Sequence, residues 1–288
     1  MKGIFRALSE MRKQKYCVPV PCSKRRKWGD PRAREMEKEG CRLIVGDYIG
    51  TELCQYASRS CKMLTVVRDP VSRLISSWKY CMDYHDQLCA REKLDAKKAT
   101  LEQWAKHQRR YLQMQLLVDE KNLQGNKIPS CWFQQRQKLE HAAGLTNALP
   151  NQLSEVVQNG SRTQQQWIAA SADLQPKAME ALHRFDAVGL LENFFPLSLD
   201  VFRCVTGAQF NSSQISDFLA SKAERKSTGQ AAKEHLAVKE FHAKWENKAR
   251  NNPAVMKILE PDIQLYEEAS KIFWGKVKEC GLSPPSTP

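Results

Sequence analysis

The sequence predicts an α/β fold in which short buried strands form a parallel sheet flanked by helices. Three short apolar runs predict the strands, at residues 43–45, 63–67 and 187–191. Each run ends in polar or glycine residues, and a helical pattern follows it along the chain. Continuous runs of this length, rich in β-branched residues and each followed by a helix, are typical of parallel strands that are buried on both faces.

Length and composition are those of an ordinary globular protein. The chain has 288 residues, of which 42% are hydrophobic and 27% are charged, so it can bury a core without disulfides or metals. No apolar run approaches the roughly 20 residues of a membrane span, and residues 1–8 do not begin a secretory signal. We expect one domain over residues 1–282 and a disordered tail over residues 283–288.

Capping residues and apolar spacing predict where the helices lie. Thr100 and Gln103 form the pattern of a capping box, so a helix is expected to begin next to Thr100. A second helix should run from about residue 194 to 204, with Gly207 near its end. The last helix is predicted to begin at Pro261. Its core-facing stripe is predicted to be Ile263, Tyr266, Ser270, Phe273 and Val277.

The charge balance predicts an anionic partner. The chain has 45 Lys and Arg against 32 Asp and Glu, a net charge of +13. Much of this excess lies in residues 1–28, so phosphate, sulfate, an acidic glycan or nucleic acid would be attracted. For the Lys24–Lys27 run alone, a solvated basic arm is the better interpretation. A nucleic-acid-binding protein is disfavoured, because few aromatic residues interleave the basic run and no nucleic-acid-binding motif is present.

Ten cysteines are scattered along the chain without a C-x-x-C pair or the Cys and His spacing of a zinc site. An even, scattered set favours disulfides and therefore an oxidising lumen. Acceptor sequons at Asn159 and Asn211 agree with that compartment. Buried free thiols remain the alternative. No metal site is expected: Asp83, His85 and Asp86 are better interpreted as a polar helix end.

A phosphate-binding motif is predicted where the second apolar run ends. Arg68 follows the predicted strand, Asp69 can cap the next helix, and Pro70 suits the first turn of that helix. Ligands of open parallel sheets bind at the carboxyl ends of the strands. A helix N-terminus with an adjacent arginine and nearby hydroxyls favours phosphate, because the guanidinium fork can bind two phosphate oxygens at once.

Residues 65–80 read T-x-x-R-D-P-x-x-R-x-x-S-x-x-x-Y. This resembles the 3′-phosphate-binding motif of sulfotransferases that use 3′-phosphoadenylyl sulfate (PAPS), above all the Golgi carbohydrate sulfotransferases of the heparan and chondroitin type. Residues 185–193 resemble the family's F-D-x-V-G-x-x-E segment, and residues 262–269 resemble its D-x-x-L-Y-E-x-A helix. The resemblance implies that Arg68 and Ser76 hold the 3′-phosphate of the nucleotide. It also implies a loop closing over the nucleotide at Lys226, Ser227 and Thr228, although Lys226 taken alone is better interpreted as a solvated charge.

The resemblance further implies a P-loop-NTPase-like parallel sheet with a large helical insertion, here at about residues 82–180. It implies PAPS as co-substrate without a metal, a carbohydrate acceptor, a Golgi location and a membrane anchor upstream of this chain. The family's P-K-x-G-[ST]-[ST] loop, which grips the phosphosulfate, is not found, and residues 3–8 resemble the helix after it. We therefore expect the first strand and this loop to be missing from an N-terminally truncated chain.

Asp47 is the candidate catalytic base. Many relatives carry a histidine where the first predicted strand ends, and a carboxylate can remove a hydroxyl proton in the same way if it reaches the acceptor. A cap on the following turn is an equally good interpretation of Asp47. The alternative to an enzyme is an inactive or fragmentary homologue that binds the nucleotide or an acidic glycan without turnover. Acceptor contacts are expected in the helical insertion, and the candidates are Trp104, Arg109, Arg110, Tyr111 and Trp132, although each taken alone is better interpreted as a core or surface residue.

Overall fold

The structure is a computed structural model of the chain. It describes residues 15–17, 41–44, 61–83, 94–109, 112, 116, 175–192, 194–207 and 230–284. These residues divide between two compact units, with the divisions after Met63, Leu112 and Asp186. The predicted single domain over residues 1–282 stays a prediction.

The first unit contains a short pair of parallel strands. Strand β1 (Lys15–Cys17) pairs with β2 (Cys41–Ile44), and the register shifts between Lys15 and Tyr16. Residues 175–183 of this unit are helical. Strand β2 covers most of the first apolar run, so the predicted strand at that position is confirmed.

The second unit contains a pair of parallel strands whose carboxyl ends carry the predicted phosphate-binding motif and the residues that follow the third apolar run. Strands β3 (Leu64–Val67) and β4 (Ala187–Leu190) run parallel and in register from Leu64 opposite Ala187 to Val67 opposite Leu190. All four residues of β4 are buried. Both strands lie within the predicted apolar runs, which confirms the predicted positions, whereas a single sheet of the P-loop-NTPase type stays a prediction.

Five helices belong to the described part of the second unit. They are α1 (Pro70–Asp83), α2 (Leu101–Gln108), α3 (Phe195–Thr206), α4 (Gln230–Arg250) and α5 (Pro253–Glu279). No helix in the described ranges is both long enough and apolar enough to cross a membrane.

Two of the predicted helix ends are confirmed in detail. The Thr100 hydroxyl accepts a hydrogen bond from the Gln103 amide at 3.2 Å, and the Gln103 side chain accepts one from the Thr100 amide at 2.8 Å. This reciprocal pair is the capping box that begins α2. Gly207 follows α3 with φ of 63°, a left-handed conformation that glycine adopts without steric cost.

The predicted start of the last helix is wrong. Helix α5 begins at Pro253, where the Asn252 side chain accepts hydrogen bonds from the amides of Ala254 and Val255. Pro261 lies inside the helix. An asparagine cap followed by proline is as good a start signal as Pro261 itself. Of the five residues predicted to face the core, only Phe273 and Val277 are buried. The other buried residues of α5 are Val255, Leu259, Asp262, Leu265 and Ala269.

The main core of the second unit lies between α1, α2, α4 and α5. Trp78 of α1 is 3% exposed, lies 4.9 Å from the Trp245 ring in an edge-on arrangement, and donates its indole N–H to the Ala96 carbonyl at 2.8 Å. Cys204 and Cys280 form a disulfide that joins the ends of α3 and α5. Cys61 and Cys81 each take part in a disulfide as well. Disulfides, rather than free thiols, are therefore present at these four cysteines.

Candidate phosphate-binding site

The candidate site begins where β3 and β4 end. Because the two strands are parallel neighbours, the residues that follow them meet at one edge. The Arg68 Nε atom donates to Oε1 of Glu192 at 3.1 Å, and the Asp69 amide donates to Oε2 of the same carboxylate at 3.2 Å. The Arg68 and Glu192 side chains are 31% and 24% exposed, so the pair lies at the surface edge of the core.

Asp69 links the start of α1 to the end of α4. Its Oδ1 atom accepts from the Ser72 amide at 2.8 Å, which confirms the predicted cap. The same atom accepts from Nη2 of Arg250 at 2.8 Å, and the Arg250 side chain is 47% exposed. Arg250 was not predicted as a site residue, because only the packing of α4 against α1 brings a residue 181 positions away to Asp69.

Tyr266 of α5 completes this network of Arg68, Asp69, Glu192 and Arg250. Burial raises the pKa of its hydroxyl to about 12, helped by the negative charges of Glu192 and Asp69 and by its hydrogen bond to Glu192, and Arg250 offsets part of the shift. Like any tyrosine hydroxyl, it is protonated at neutral pH, and it donates to the Glu192 carboxylate. Tyr266 was predicted as a core residue of the last helix, and the structure gives it this additional polar contact.

The guanidinium of Arg68 keeps donors for a ligand. An arginine carries five N–H donors, of which the Nε–H of Arg68 is taken by Glu192. Within the described ranges the Nη1 and Nη2 groups of Arg68 make no hydrogen bond or ion pair. These two groups form the edge of the fork that can bind a phosphate bidentately.

Ser76 lies in the second turn of α1, partly exposed. It lies outside the Arg68–Glu192 network, and its hydroxyl has no hydrogen-bond partner in the part of the chain described.

The other arginine of the motif, Arg73, connects two helices. It donates from Nη1 to the side-chain oxygen of Gln108 at 3.2 Å and from Nη2 to the Gln108 carbonyl at 3.1 Å. Arg73 thereby ties the end of α2 to α1.

For Trp104 the structure supports the core interpretation and excludes the acceptor contact. Trp104 is fully buried and donates its indole N–H to the Ser77 hydroxyl at 3.1 Å, so its ring cannot stack on a sugar. Its spacing on an amphipathic helix suits a core residue equally well, and only packing decides between the two. Arg109 follows α2 and is partly buried. Arg110, Tyr111 and Trp132 lie outside the described residues.

Several other candidates also lie outside the described residues: Asp47, Lys226, Ser227, Thr228, and the sequon residues Asn159 and Asn211. Asp83 is paired with Lys79, whose Nζ atom lies 2.6 Å from its carboxylate. In the described ranges no three Cys, His, Asp or Glu side chains group as metal ligands would.

Comparisons of the chain with protein-family models, with curated proteins and with solved structures found no match. A functional assignment therefore depends on the residues of this chain and their geometry.

Proposed function

We propose that the protein is a PAPS-dependent sulfotransferase that transfers a sulfuryl group to a hydroxyl of a carbohydrate. One observation carries the proposal: the three segments that resemble the family meet in one network. Arg68 and Glu192 come from two of these segments, are 124 positions apart, and form an ion pair. Tyr266, from the third segment, hydrogen-bonds to Glu192.

The Arg68 side chain fits a role in binding the 3′-phosphate of the nucleotide. Its Nη edge carries donors that the described residues do not use, and its partial exposure leaves it open to a ligand. The amides at the start of α1 are less suited, because the Asp69 amide donates to Glu192 and the Ser72 amide to Asp69. The arginine fork and the Ser76 hydroxyl therefore supply the donors in the proposed site, rather than the helix N-terminus.

In the proposed reaction a carboxylate accepts the proton of the acceptor hydroxyl while the hydroxyl oxygen forms a bond to sulfur. The bond from sulfur to the oxygen of the 5′-phosphate breaks, and 3′,5′-bisphosphoadenosine leaves. We assign the proton transfer to Asp47. Glu192 is less suited, because Arg68 and the Asp69 amide each occupy one of its oxygens. Arg68 and Ser76 act by holding the nucleotide in position, which is the main task of a protein in such transfers.

The net charge of +13 supports an anionic glycan as acceptor. The disulfide between Cys204 and Cys280 supports an oxidising compartment such as the Golgi lumen.

Calorimetric titration with 3′,5′-bisphosphoadenosine tests the nucleotide site. Arg68→Ala should lose about 2–4 kcal/mol of binding free energy, roughly 30-fold or more in affinity, because a charge-assisted phosphate contact is lost. Ser76→Ala should lose about 1 kcal/mol. Arg203→Ala is the matched control, since within the described ranges Arg203 pairs with Asp200 alone, at 3.4 Å. If Arg68→Ala binds as tightly as the wild type, the assignment of the site is wrong.

A sulfuryl-transfer assay with Asp47→Asn tests the catalytic assignment. Loss of a general base typically costs about 10²–10⁴-fold in rate, while the affinity for PAPS should stay nearly unchanged. Equal turnover would remove Asp47 as the base. Nucleotide binding without any turnover by the unmodified protein would instead favour the non-enzymatic alternative.

A further inference from the structure

The Arg68–Glu192 contact uses one particular edge of the guanidinium. The Nε–H donates to Glu192 at 3.1 Å, and within the described ranges the two Nη groups make no hydrogen bond. Arginine has a long side chain with many rotamers, and holding it in one of them costs conformational entropy. A contact at Nε limits those rotamers and does not occupy the edge that binds phosphate bidentately.

Glu192 is itself held in place from two sides. Its second oxygen accepts from the Asp69 amide at 3.2 Å, a backbone group at the start of α1. The Tyr266 hydroxyl donates to the same carboxylate. Since the carboxylate is anchored to the backbone and to a partly buried side chain, it is a rigid support for the more exposed arginine.

We propose that Glu192 is a positioning residue that orients Arg68 for the 3′-phosphate, with Tyr266 fixing Glu192. This inference rests on the proposed function and deepens it. Glu192 does not touch the nucleotide in this arrangement and acts through Arg68. It should therefore affect recognition of the 3′-phosphate and leave recognition of the rest of the nucleotide unchanged.

A carboxylate beside the site could instead weaken phosphate binding, so the sign of the change in affinity distinguishes the two roles. A carboxylate next to an anionic ligand repels it, so removing a purely competing carboxylate would tighten phosphate binding. Removing a positioning carboxylate would weaken binding, because Arg68 would then have to be ordered when the ligand binds.

The experiment compares the affinities for 3′,5′-bisphosphoadenosine and 5′-AMP, using the full chain and calorimetry. The ratio of the two affinities isolates the contribution of the 3′-phosphate. Glu192→Ala should reduce this ratio about tenfold at unchanged affinity for 5′-AMP, and Tyr266→Phe should reduce it about threefold. Glu180→Ala, which removes a carboxylate paired with Arg184 on an exposed helix face, should leave the ratio unchanged.

A double-mutant cycle shows whether Glu192 acts through Arg68. In the Arg68→Ala background, Glu192→Ala should change the ratio no further. If Glu192→Ala fails to fold, Glu192→Gln serves instead. Glutamine keeps one acceptor oxygen for the three donors that contact Glu192, so the ratio should fall by an intermediate amount, about threefold.

Three results would overturn the positioning role: an unchanged ratio in the single variant, a raised ratio, or an additional loss in the Arg68→Ala background. A wild type that does not prefer 3′,5′-bisphosphoadenosine over 5′-AMP would refute the proposed function itself, and the positioning role with it.

Discussion

Gly189 permits the close packing of α3 on β4. A Cβ atom at this position would lie 2.8 Å from the Ser198 Cβ and 2.9 Å from the Phe202 Cζ, closer than carbon atoms can approach. Ser198 is fully buried, and its hydroxyl bonds to both backbone groups of Leu190, at 2.8 Å from the amide and 3.0 Å from the carbonyl. Gly189→Ala must therefore push α3 away from the strand that leads to Glu192.

The cost follows from these contacts. Overpacking of a well-filled core typically costs about 1–3 kcal/mol, and weakening the Ser198 hydrogen bonds adds about 1 kcal/mol. We expect Gly189→Ala to lower the free energy of unfolding by about 2–4 kcal/mol, which corresponds to a fall of roughly 10 °C in Tm for a chain of this size. Thermal unfolding followed by tryptophan fluorescence would measure the shift.

Gly275→Ala is the matched control. Gly275 lies within α5, and a Cβ atom there would meet no heavy atom within 4 Å. Alanine in a helix interior is favoured over glycine by about 0.5–1 kcal/mol, so this variant should be more stable than the wild type. The packing argument is refuted if Gly189→Ala unfolds at the wild-type temperature, or if both substitutions shift Tm in the same direction.

Three further predictions concern stability. Replacing Cys204 and Cys280 by serine should lower the free energy of unfolding by about 2–4 kcal/mol, because a closed loop of 76 positions opens. Denaturant titration measures the change, and an unchanged unfolding midpoint would contradict this prediction. The pKa of Tyr266 is about 12 in the folded protein against 10 ordinarily, so the unfolded state loses this proton first and stability should fall as pH rises through that window. In Tyr266→Phe the free energy of unfolding should fall less steeply over this pH range. An equally steep fall in this variant would contradict the role of Tyr266. Burial raises the pKa of Asp186, but hydrogen bonds from Lys62 and the Met63 amide outweigh it and lower the pKa overall. The Asp186 carboxylate stabilises the fold above its unfolded pKa, and this stabilisation is lost as pH falls through its folded pKa. The difference in free energy of unfolding between the wild type and Asp186→Asn should therefore disappear in acid. A difference that does not depend on pH would contradict the ion pair.

Features that depend on neighbouring residues along the chain could be predicted from the sequence. The strand positions β3 and β4 follow from short apolar runs, since only buried backbone carries such runs. The capping box of Thr100 and Gln103 and the glycine after α3 follow from local hydrogen bonds and backbone conformation. The hydrogen bond from the Ser72 amide to Asp69 at the start of α1 also joins near neighbours along the chain.

Features that depend on residues far apart were decided by the tertiary structure. Periodicity shows that Trp104 lies on a helix face, but only the packing of α2 shows that this face is buried. Arg250 reaches Asp69, and Tyr266 reaches Glu192, because the helices that carry them pack beside the ends of two parallel strands. The sequence by itself determined the positions of the strands and of the local caps, and it predicted a phosphate-binding motif. The tertiary structure decided which residues of the predicted site are held together, because ion pairs between distant positions form only when packing brings their elements into contact.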